Sequence, residues 1–384
     1  MKQEFPTDEK DRKYFDNEKD PFNPENTLSG VISRAQGGLY GCMHITEING
    51  KPTNQFIYSA PKMHYPFEEY DVETKEYRNF TIPDYDRVEI YKKLDGTAII
   101  AYTYECDGKT FLTYKTRLSP FLHSAKFGDY LGMWRDILDK YPSMHNELQN
   151  IPYNAVFELY GLRNRVTIIY DVILDTRLLF FVNKTNGSVI TPTKAPATIP
   201  ALIPKVKLKR FPGLQEYYVK HQQKLENALE INEEEKKIKG DEGTVWYFIK
   251  SDNIQQLKCK PDTILKLHWG PESIPKDAIY TTCFNAFESF DDPSVEDVIT
   301  LLLEEFQMDR IERSRRRIEV ALEKAKKDKL LMYEISKIYD KNKLNIQEKK
   351  AETMKYLCSR LPDHRPSRVY TMLQRYIQAA QKEI

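Results

Sequence analysis

The feature that most constrains this chain is a set of Asx-Gly dipeptides lying between short β-type runs. Val88, Ile90 and Tyr91 lead through Lys92-Lys93-Leu94 to Asp95-Gly96, and Ala98–Tyr102 follows. Tyr102–Glu105 and Phe111–Tyr114 flank Asp107-Gly108, and Asn49-Gly50 sits in a comparable setting. Asp-Gly or Asn-Gly between such runs signals a tight hairpin-like turn, so this region is expected to build sheet. A lysine just before such a turn is held at the mouth of a sheet, where backbone can approach a ligand closely. A second cation beside Lys93, namely Lys92, or partial desolvation would lower its pKa and free the amine. A solvated surface turn would carry the same residues.

The chain of 384 residues, 40% hydrophobic, can bury a sizeable core and is expected to form two domains. A formal charge of +1 leaves no global bias, so any nucleic-acid surface must be local. The 25 tyrosines and 18 phenylalanines favour β-rich packing and offer planar faces on which bases could stack. Cys42, Cys106, Cys259, Cys283 and Cys358 form no CxxC pair, and the histidines form no HxxxH or HExxH arrangement. That scatter argues for reduced thiols and against a zinc site. The start, Met1-Lys2-Gln3-Glu4, is polar and no apolar run approaches a membrane span. A soluble, cytoplasmic protein with no membrane partner is expected.

Residues 1–28, with Pro6, Pro21 and Pro24, read as a loosely ordered arm. Residues 29–262 read as one domain of short strands with flanking helices. Within it Phe127–Tyr141 has helical spacing, Val166–Leu174 and Leu178–Val182 read as strands, and Pro192–Pro204 is a proline-punctuated connector. Leu214–Lys239 reads as one long helix ending near Gly240. Phe157-Glu158-Leu159-Tyr160 places a lone carboxylate in an apolar strand, which is costly without a partner. Arg163, Arg165 or a ligand hydroxyl could supply one. Asp241-Glu242-Gly243-Thr244-Val245-Trp246 again sets an acid before glycine at the head of an apolar strand. Lys258 and Lys260 lie at period two, facing one side of a strand. Arg78, among aromatics, is a weak candidate for a phosphate contact.

Residues 263–384 read as an all-helical domain, with capping-box patterns at Ser294 and Asn345 and helices over Met308–Tyr339 and Ser367–Lys382. From Leu301 onward there are 20 Lys/Arg against 13 Asp/Glu, sharpest at Arg313, Arg315, Arg316 and Arg317. A solvated helix face explains such a run, and a phosphate-binding face explains it as well. The fold class expected is therefore α+β, antiparallel sheets with flanking helices followed by a helical domain.

Four short stretches recur in a telling order, Lys93-Leu94-Asp95-Gly96, Phe157–Gly161, Glu242–Trp246 and Lys258-Cys259-Lys260. This ordered set resembles the covalent nucleotidyltransferases, which comprise ATP-dependent RNA and DNA ligases and messenger RNA capping enzymes. Their pattern is KxDG, an acid-bearing strand, EG followed by an apolar strand, then KxK. The resemblance covers roughly residues 75–261. Asn164–Tyr170 and Thr116-Arg117-Leu118-Ser119 look like the corresponding stretches of phage-type RNA ligase 1, a tRNA-repair enzyme, with arginine in place of lysine at 117. The helical C-terminus also resembles that family, whereas DNA ligases and capping enzymes carry an OB barrel there.

The resemblance implies that Lys93 takes AMP from ATP in a phosphoramide bond and passes it to an RNA 5′-phosphate, which a 3′-hydroxyl then displaces. It implies Lys258 and Lys260 as stabilisers of α-phosphate charge, Glu242 as the carboxylate for Mg²⁺ or Mn²⁺, and Glu158 as acceptor for ribose hydroxyls. It places Arg117 near the ribose or RNA phosphate, Asp95 in the sealing step, and Lys92, Gly96 and Arg78 about the nucleotide. Phe180 or Phe181 would stack on adenine. The implied partner is RNA with 5′-phosphate and 3′-hydroxyl ends, tRNA among the candidates. A DNA ligase, a GTP-using capping-type enzyme and an RNA-binding protein on a decayed ligase scaffold are the alternatives.

Overall fold

A computed structural model describes residues 5–35, 37–71, 74–125, 128–164, 168–232, 237–269, 274–303, 306, 308–346 and 348–380. The chain divides into two compact units, one of Met1–Ser124 with Asp129–Pro271 and one of Ala125–Gly128 with Glu272–Ile384. The architecture is antiparallel sheet with flanking helices in the first unit and, from residue 276 on, described elements that are all helical.

Two sheets form the centre of the first unit. One has strands in the order Val189–Ile190, Asp175–Asn183, Tyr153–Tyr160, Thr97–Cys106 and Lys109–Lys115. The other runs Val206–Lys209, Arg87–Lys93, Gly243–Lys250 and Asn253–Cys259, and every pairing in both is antiparallel. Period-two alternation gives each sheet two apolar faces. Tyr91, Val245, Tyr247 and Ile249 from one sheet share a buried core with Ile100, Val156, Phe180 and Val182 from the other. On the far side of the five-stranded sheet, Ile99, Phe157 and Leu178 pack against Trp134 and Ile137 of helix Tyr130–Lys140. On the far side of the four-stranded sheet, Val88, Ile90, Trp246 and Phe248 pack against Leu214, Tyr218 and Leu225 of helix Leu214–Glu226.

Two Asx-Gly turns behave as their sequence predicts. Asn49 and Gly50 (φ 52° and 73°) close the hairpin Met43–Ile48/Lys51–Ile57, and Asp107 and Gly108 (φ 49° and 75°) close Thr97–Cys106/Lys109–Lys115. Positive φ at both central residues is the type I′ geometry that suits strand twist. Asp95-Gly96 differs. Its flanking strands belong to different sheets, so the turn carries the chain from one layer to the other rather than closing a hairpin. Its glycine is needed for close approach, because a Cβ on Gly96 would lie 2.1 Å from the Leu159 carbonyl oxygen.

Other expectations also shift. Residues 12–19 are not a loose arm. They form the edge strand of a four-stranded sheet with Thr27–Ser33, Met43–Ile48 and Lys51–Ile57. Only Phe15 of that strand is buried, so its apolar signal is too thin to read. The helix expected over 214–239 stops at Glu226, and Glu230–Asn232 pairs with Lys237–Lys239 instead. The helix expected from Phe127 begins at Tyr130, capped by the Asp129 carboxylate, and Phe127 lies outside the described residues. Residues 165–167 lie outside them too, and Ile168–Leu174 contributes a single bridge, Ile168 to Ile238, in place of a strand.

In the second unit, helix Met308–Lys341 is a spine of 34 residues, about 50 Å long by helical rise. Its first half packs with Lys276–Asn285 and Val295–Leu302, and its second half with Lys350–Arg360 and Pro366–Ala380. Ser294 and Asp297 form the expected capping box. The Asn345 box does not start a helix. The helix there begins at Lys350; the Asn345 side chain accepts from the Glu348 N–H, and its carbonyl accepts from the Lys349 N–H and the Thr353 hydroxyl.

Candidate active site

Strand pairing assembles the site. The register sets Gly243 opposite Lys93 and Thr244 opposite Lys92, which brings Glu242 to the end of the lysine strand. The Lys93 ammonium meets the Glu242 carboxylate at 2.6 Å, and the Lys260 ammonium meets the other oxygen of the same carboxylate at 2.7 Å. Glu242 and Lys260 are almost wholly buried, and Lys93 is mostly so. The pattern needs glycine at 243, since its φ is +156° and a Cβ there would fall 2.3 Å from the Cys259 carbonyl oxygen. Close approach of the two strand ends is what lets one carboxylate hold both amines.

Alternation decides the other positions. Lys93 follows Tyr91 and Glu158 follows Val156 by two residues each, and Tyr91 and Val156 face each other between the sheets. Lys93, Glu158 and Phe180 line one small cavity at this end of the interlayer core. Its volume is about 30 Å³, room for roughly one water, so a nucleoside would have to displace side chains to enter. Phe181 points to the opposite face of its sheet, into the core with Trp134 and Phe157. Of the two phenylalanines, the structure brings only Phe180 to Lys93. Glu158 does not take Arg163 as its partner, because Arg163 pairs with Asp136. Arg165 lies outside the described residues.

Lys92 lines the same cavity as Lys93. Its ammonium goes to Asp241 at 2.6 Å, and Lys205 holds the other oxygen of that acid at 2.6 Å. Both lysines hold the Asp241 carboxyl below its ordinary value against the opposing effect of burial. Consecutive lysines thus meet consecutive acids, Lys92 on Asp241 and Lys93 on Glu242. The four lysines 92, 93, 205 and 260 outnumber the two acids, an excess of positive charge that suits a polyanion. Lys258 carries its ammonium 4.7 Å above the Tyr65 ring. The strand ends at Cys259, so the period-two rule no longer ties Lys260 to the face of Lys258.

Asp95 is buried, its carboxylate accepting the Ile168 N–H at 2.6 Å and its own N–H donating to the Tyr170 hydroxyl at 2.8 Å. Gly96 acts through packing on Leu159. Arg117 lies 5.3 Å over the Tyr40 ring and Arg78 is an exposed partner of Glu69. In the second unit Arg315 is held between Glu312 and Glu296, so part of that basic cluster is neutralised within its own helices. The side chain of Arg313 lies outside the described residues.

Two residues without an assigned role in the sequence stand out. Tyr170 accepts from the KxDG turn, carries the Lys92 ammonium 5.6 Å over its ring, and packs edge-on against Tyr160 at 5.0 Å. Burial pushes its phenol up, the hydrogen bond from the Asp95 N–H opposes the rise, and the carboxylates of Asp95, Glu242 and Glu158 add to it. Lys115 is fully buried and donates to the carbonyls of Gly41 and Arg117 at 3.0 and 2.9 Å. Burial pulls its ammonium down to about 7. Neither was readable beforehand, since a tyrosine after a loop and a lysine ending a strand are ordinary surface residues.

Among the described residues no group of three or more His, Cys, Asp or Glu could hold a metal ion. Glu242 fits magnesium in the limited sense that this ion keeps waters and phosphate oxygens and needs only one or two protein carboxylates. A groove of about 1360 Å³ between Ile82–Tyr85 and Arg210–Gln223 contains none of these residues. No described helix is long and apolar enough to cross a membrane.

No family model matches the chain, and no curated protein sequence matches it. Among solved structures it is similar to an archaeal ATP-dependent RNA ligase, with 15% identity, TM-score 0.42, and 80% of this chain and 74% of that one covered. It is similar to a putative ATP-dependent DNA ligase from Aquifex aeolicus at 12% identity and TM-score 0.41, covering 86% and 78%. An RNA ligase of Naegleria gruberi gives 16% identity and TM-score 0.33, covering 48% and 52%. Identities and scores this low attach no function to the chain.

Proposed function

We propose that this chain is an ATP-dependent RNA ligase that works through a covalent lysyl-AMP, as the resemblance to phage-type RNA ligase 1 implies. The observation that carries the reading is the Lys93–Glu242–Lys260 group at the mouth of a cavity lined by Glu158 and Phe180. These residues come from five separate stretches of sequence, and a surface turn would not gather them. Lys93 Nζ attacks the α-phosphorus of ATP, an N–P bond forms, and the bond to pyrophosphate breaks. The amine must lose a proton for this, and Glu242 is the base within hydrogen-bond reach. Lys260 balances the charge on the α-phosphate. Glu158 accepts from the ribose hydroxyls and Phe180 stacks on the adenine. A divalent cation held at Glu242 and by phosphate oxygens would supply further charge neutralisation. The AMP then passes to an RNA 5′-phosphate, and a 3′-hydroxyl displaces it as the strand is sealed.

The helical C-terminal residues support an RNA ligase over a DNA ligase or capping enzyme, which carry an OB barrel there. Incubation with α-labelled ATP and magnesium should label the protein, and Lys93→Ala should abolish labelling. Labelling by GTP alone would shift the reading to a capping-type enzyme. Sealing of all-DNA nicks without activity on RNA 3′-hydroxyls would make it a DNA ligase. RNA binding with no adduct from any nucleotide would leave a non-catalytic scaffold.

A further inference from the structure

Next to the Lys93 cavity lies a second groove of about 530 Å³, walled by the connector prolines Pro192, Pro196 and Pro200, by Tyr141, and by Leu202. Leu202 also lines the Lys93 cavity, so the two share a wall. Strand register joins them as well. Glu158 stands opposite Arg177, Glu158 lining the cavity and Arg177 the groove.

Arg177 is held from one edge only. Its Nη1 meets the Asp175 carboxylate at 2.9 Å, the Tyr141 hydroxyl at 3.2 Å and the Thr176 carbonyl at 2.7 Å. Asp175 is itself fixed by donation from the hydroxyls of Tyr141 (2.7 Å) and Tyr160 (3.2 Å) and by Lys140 at 3.0 Å. Among the described residues no protein group takes the Nε–H or the Nη2 hydrogens, and about a third of the side chain is exposed. That edge of a guanidinium is a two-donor fork matching the oxygens of a phosphate. Its orientation is set before any ligand arrives, which lowers the entropy cost of binding. Arg177 and Lys140 stand against Asp175 and, across the strand pair, Glu158, so recognition rests on the fork rather than on net charge. The rest of the groove is mainly proline and aliphatic surface with one aromatic ring, Tyr141, to meet a sugar or base, and it offers no second fork.

We propose that this groove receives the 5′-phosphorylated end of the RNA strand, with Arg177 gripping the terminal phosphate through Nε and Nη2 and Tyr141 with the connector prolines receiving the adjoining nucleoside. The inference rests on the ligase reading, and it places the phosphate to be activated beside the lysine that delivers AMP. The test is equilibrium binding, without ATP, of one short single-stranded RNA prepared with a 5′-phosphate and with a 5′-hydroxyl. The wild-type chain should prefer the phosphorylated form about tenfold. Arg177→Ala should bind both forms alike, and Arg177→Lys, which keeps the charge but lacks the fork, should retain only part of the preference. Thermal melting of each variant checks that it is folded. Equal affinities in the wild type, or a full preference surviving in a folded Arg177→Ala, would overturn the proposal. Failure of the parent reading looks different, since Lys93 would then take no label from ATP whatever the binding shows.

Discussion

The ammonium of Lys93 and the carboxylate of Glu242 meet at 2.6 Å across the ends of two paired strands, and the same carboxylate holds buried Lys260. One acid therefore serves two amines, and removing it touches both chemistry and stability. Glu242→Ala should slow self-adenylylation by about 10²-fold or more, since it deletes the base nearest the nucleophile. It should also destabilise the protein by about 3–5 kcal/mol, because Lys260 loses a buried carboxylate partner. Rapid-quench labelling and urea melts measure the two effects separately.

Gly96 and Gly243 are required for a steric reason. Alanine at 96 would set a Cβ 2.1 Å from the Leu159 carbonyl oxygen, and at 243 one 2.3 Å from the Cys259 carbonyl oxygen. Backbone atoms cannot swing aside as a flexible side chain can. Each substitution should destabilise by about 1–3 kcal/mol and move Lys93 relative to Glu242. An unchanged urea midpoint with wild-type labelling would show that the strands yield freely there.

Phe180 and Phe181 give an internal comparison. Both are buried, so Phe→Leu at either should lower stability to a similar degree. Only Phe180 lines the Lys93 cavity. Phe180→Leu should raise the KM for ATP about tenfold, the value of one lost base–aromatic stack, while Phe181→Leu should leave it unchanged. Steady-state measurement of pyrophosphate release reports both.

Tyr170→Phe removes one hydroxyl and keeps the ring under Lys92 and against Tyr160. The Asp95 N–H then loses its acceptor, and the turn that aims Lys93 loosens. A fall in kcat of about tenfold with little change in KM is expected. The split matters, since a purely structural loss would appear as a lower melting temperature instead.

Lys115 gives a pH prediction with a defined sign. Burial holds its folded pKa at about 7, below the value of about 10.4 for an unfolded lysine. Between these values the unfolded chain binds more protons, so stability from this group rises with pH. Below about 7 both states are protonated, and the full cost of the buried charge remains. Wild type should therefore gain on Lys115→Met as pH goes from 7 to 9, by at most about 1.4 kcal/mol per unit. Parallel urea titrations would reveal it, and a constant gap between the two proteins would rule it out.

The stretches that meet around Lys93 stood out in the sequence because their constraints are local. An amine before an Asp-Gly turn, an acid in an apolar strand and an acid ahead of a glycine each break the apolar pattern where they occur. The helices of residues 276–380 were legible for a similar reason, since helical period and a capping box such as Ser294/Asp297 are read within a few residues. The edge strand Arg12–Lys19 was not, because only one of its residues enters a core.

Which side chains meet was decided by tertiary structure alone. Asp95-Gly96 has the letters of a hairpin yet joins two sheets, and the reason is a backbone contact with Leu159, far away in sequence. Strand register then separates neighbours, sending Lys92 to Asp241 and Lys93 to Glu242, and a one-residue step in the sheet puts Phe180 in the cavity and Phe181 in the core behind it. Sequence names the residues able to do chemistry, since that ability belongs to each side chain. Strand pairing across long separations chooses among them, because a side chain's face depends on a register that no single segment encodes.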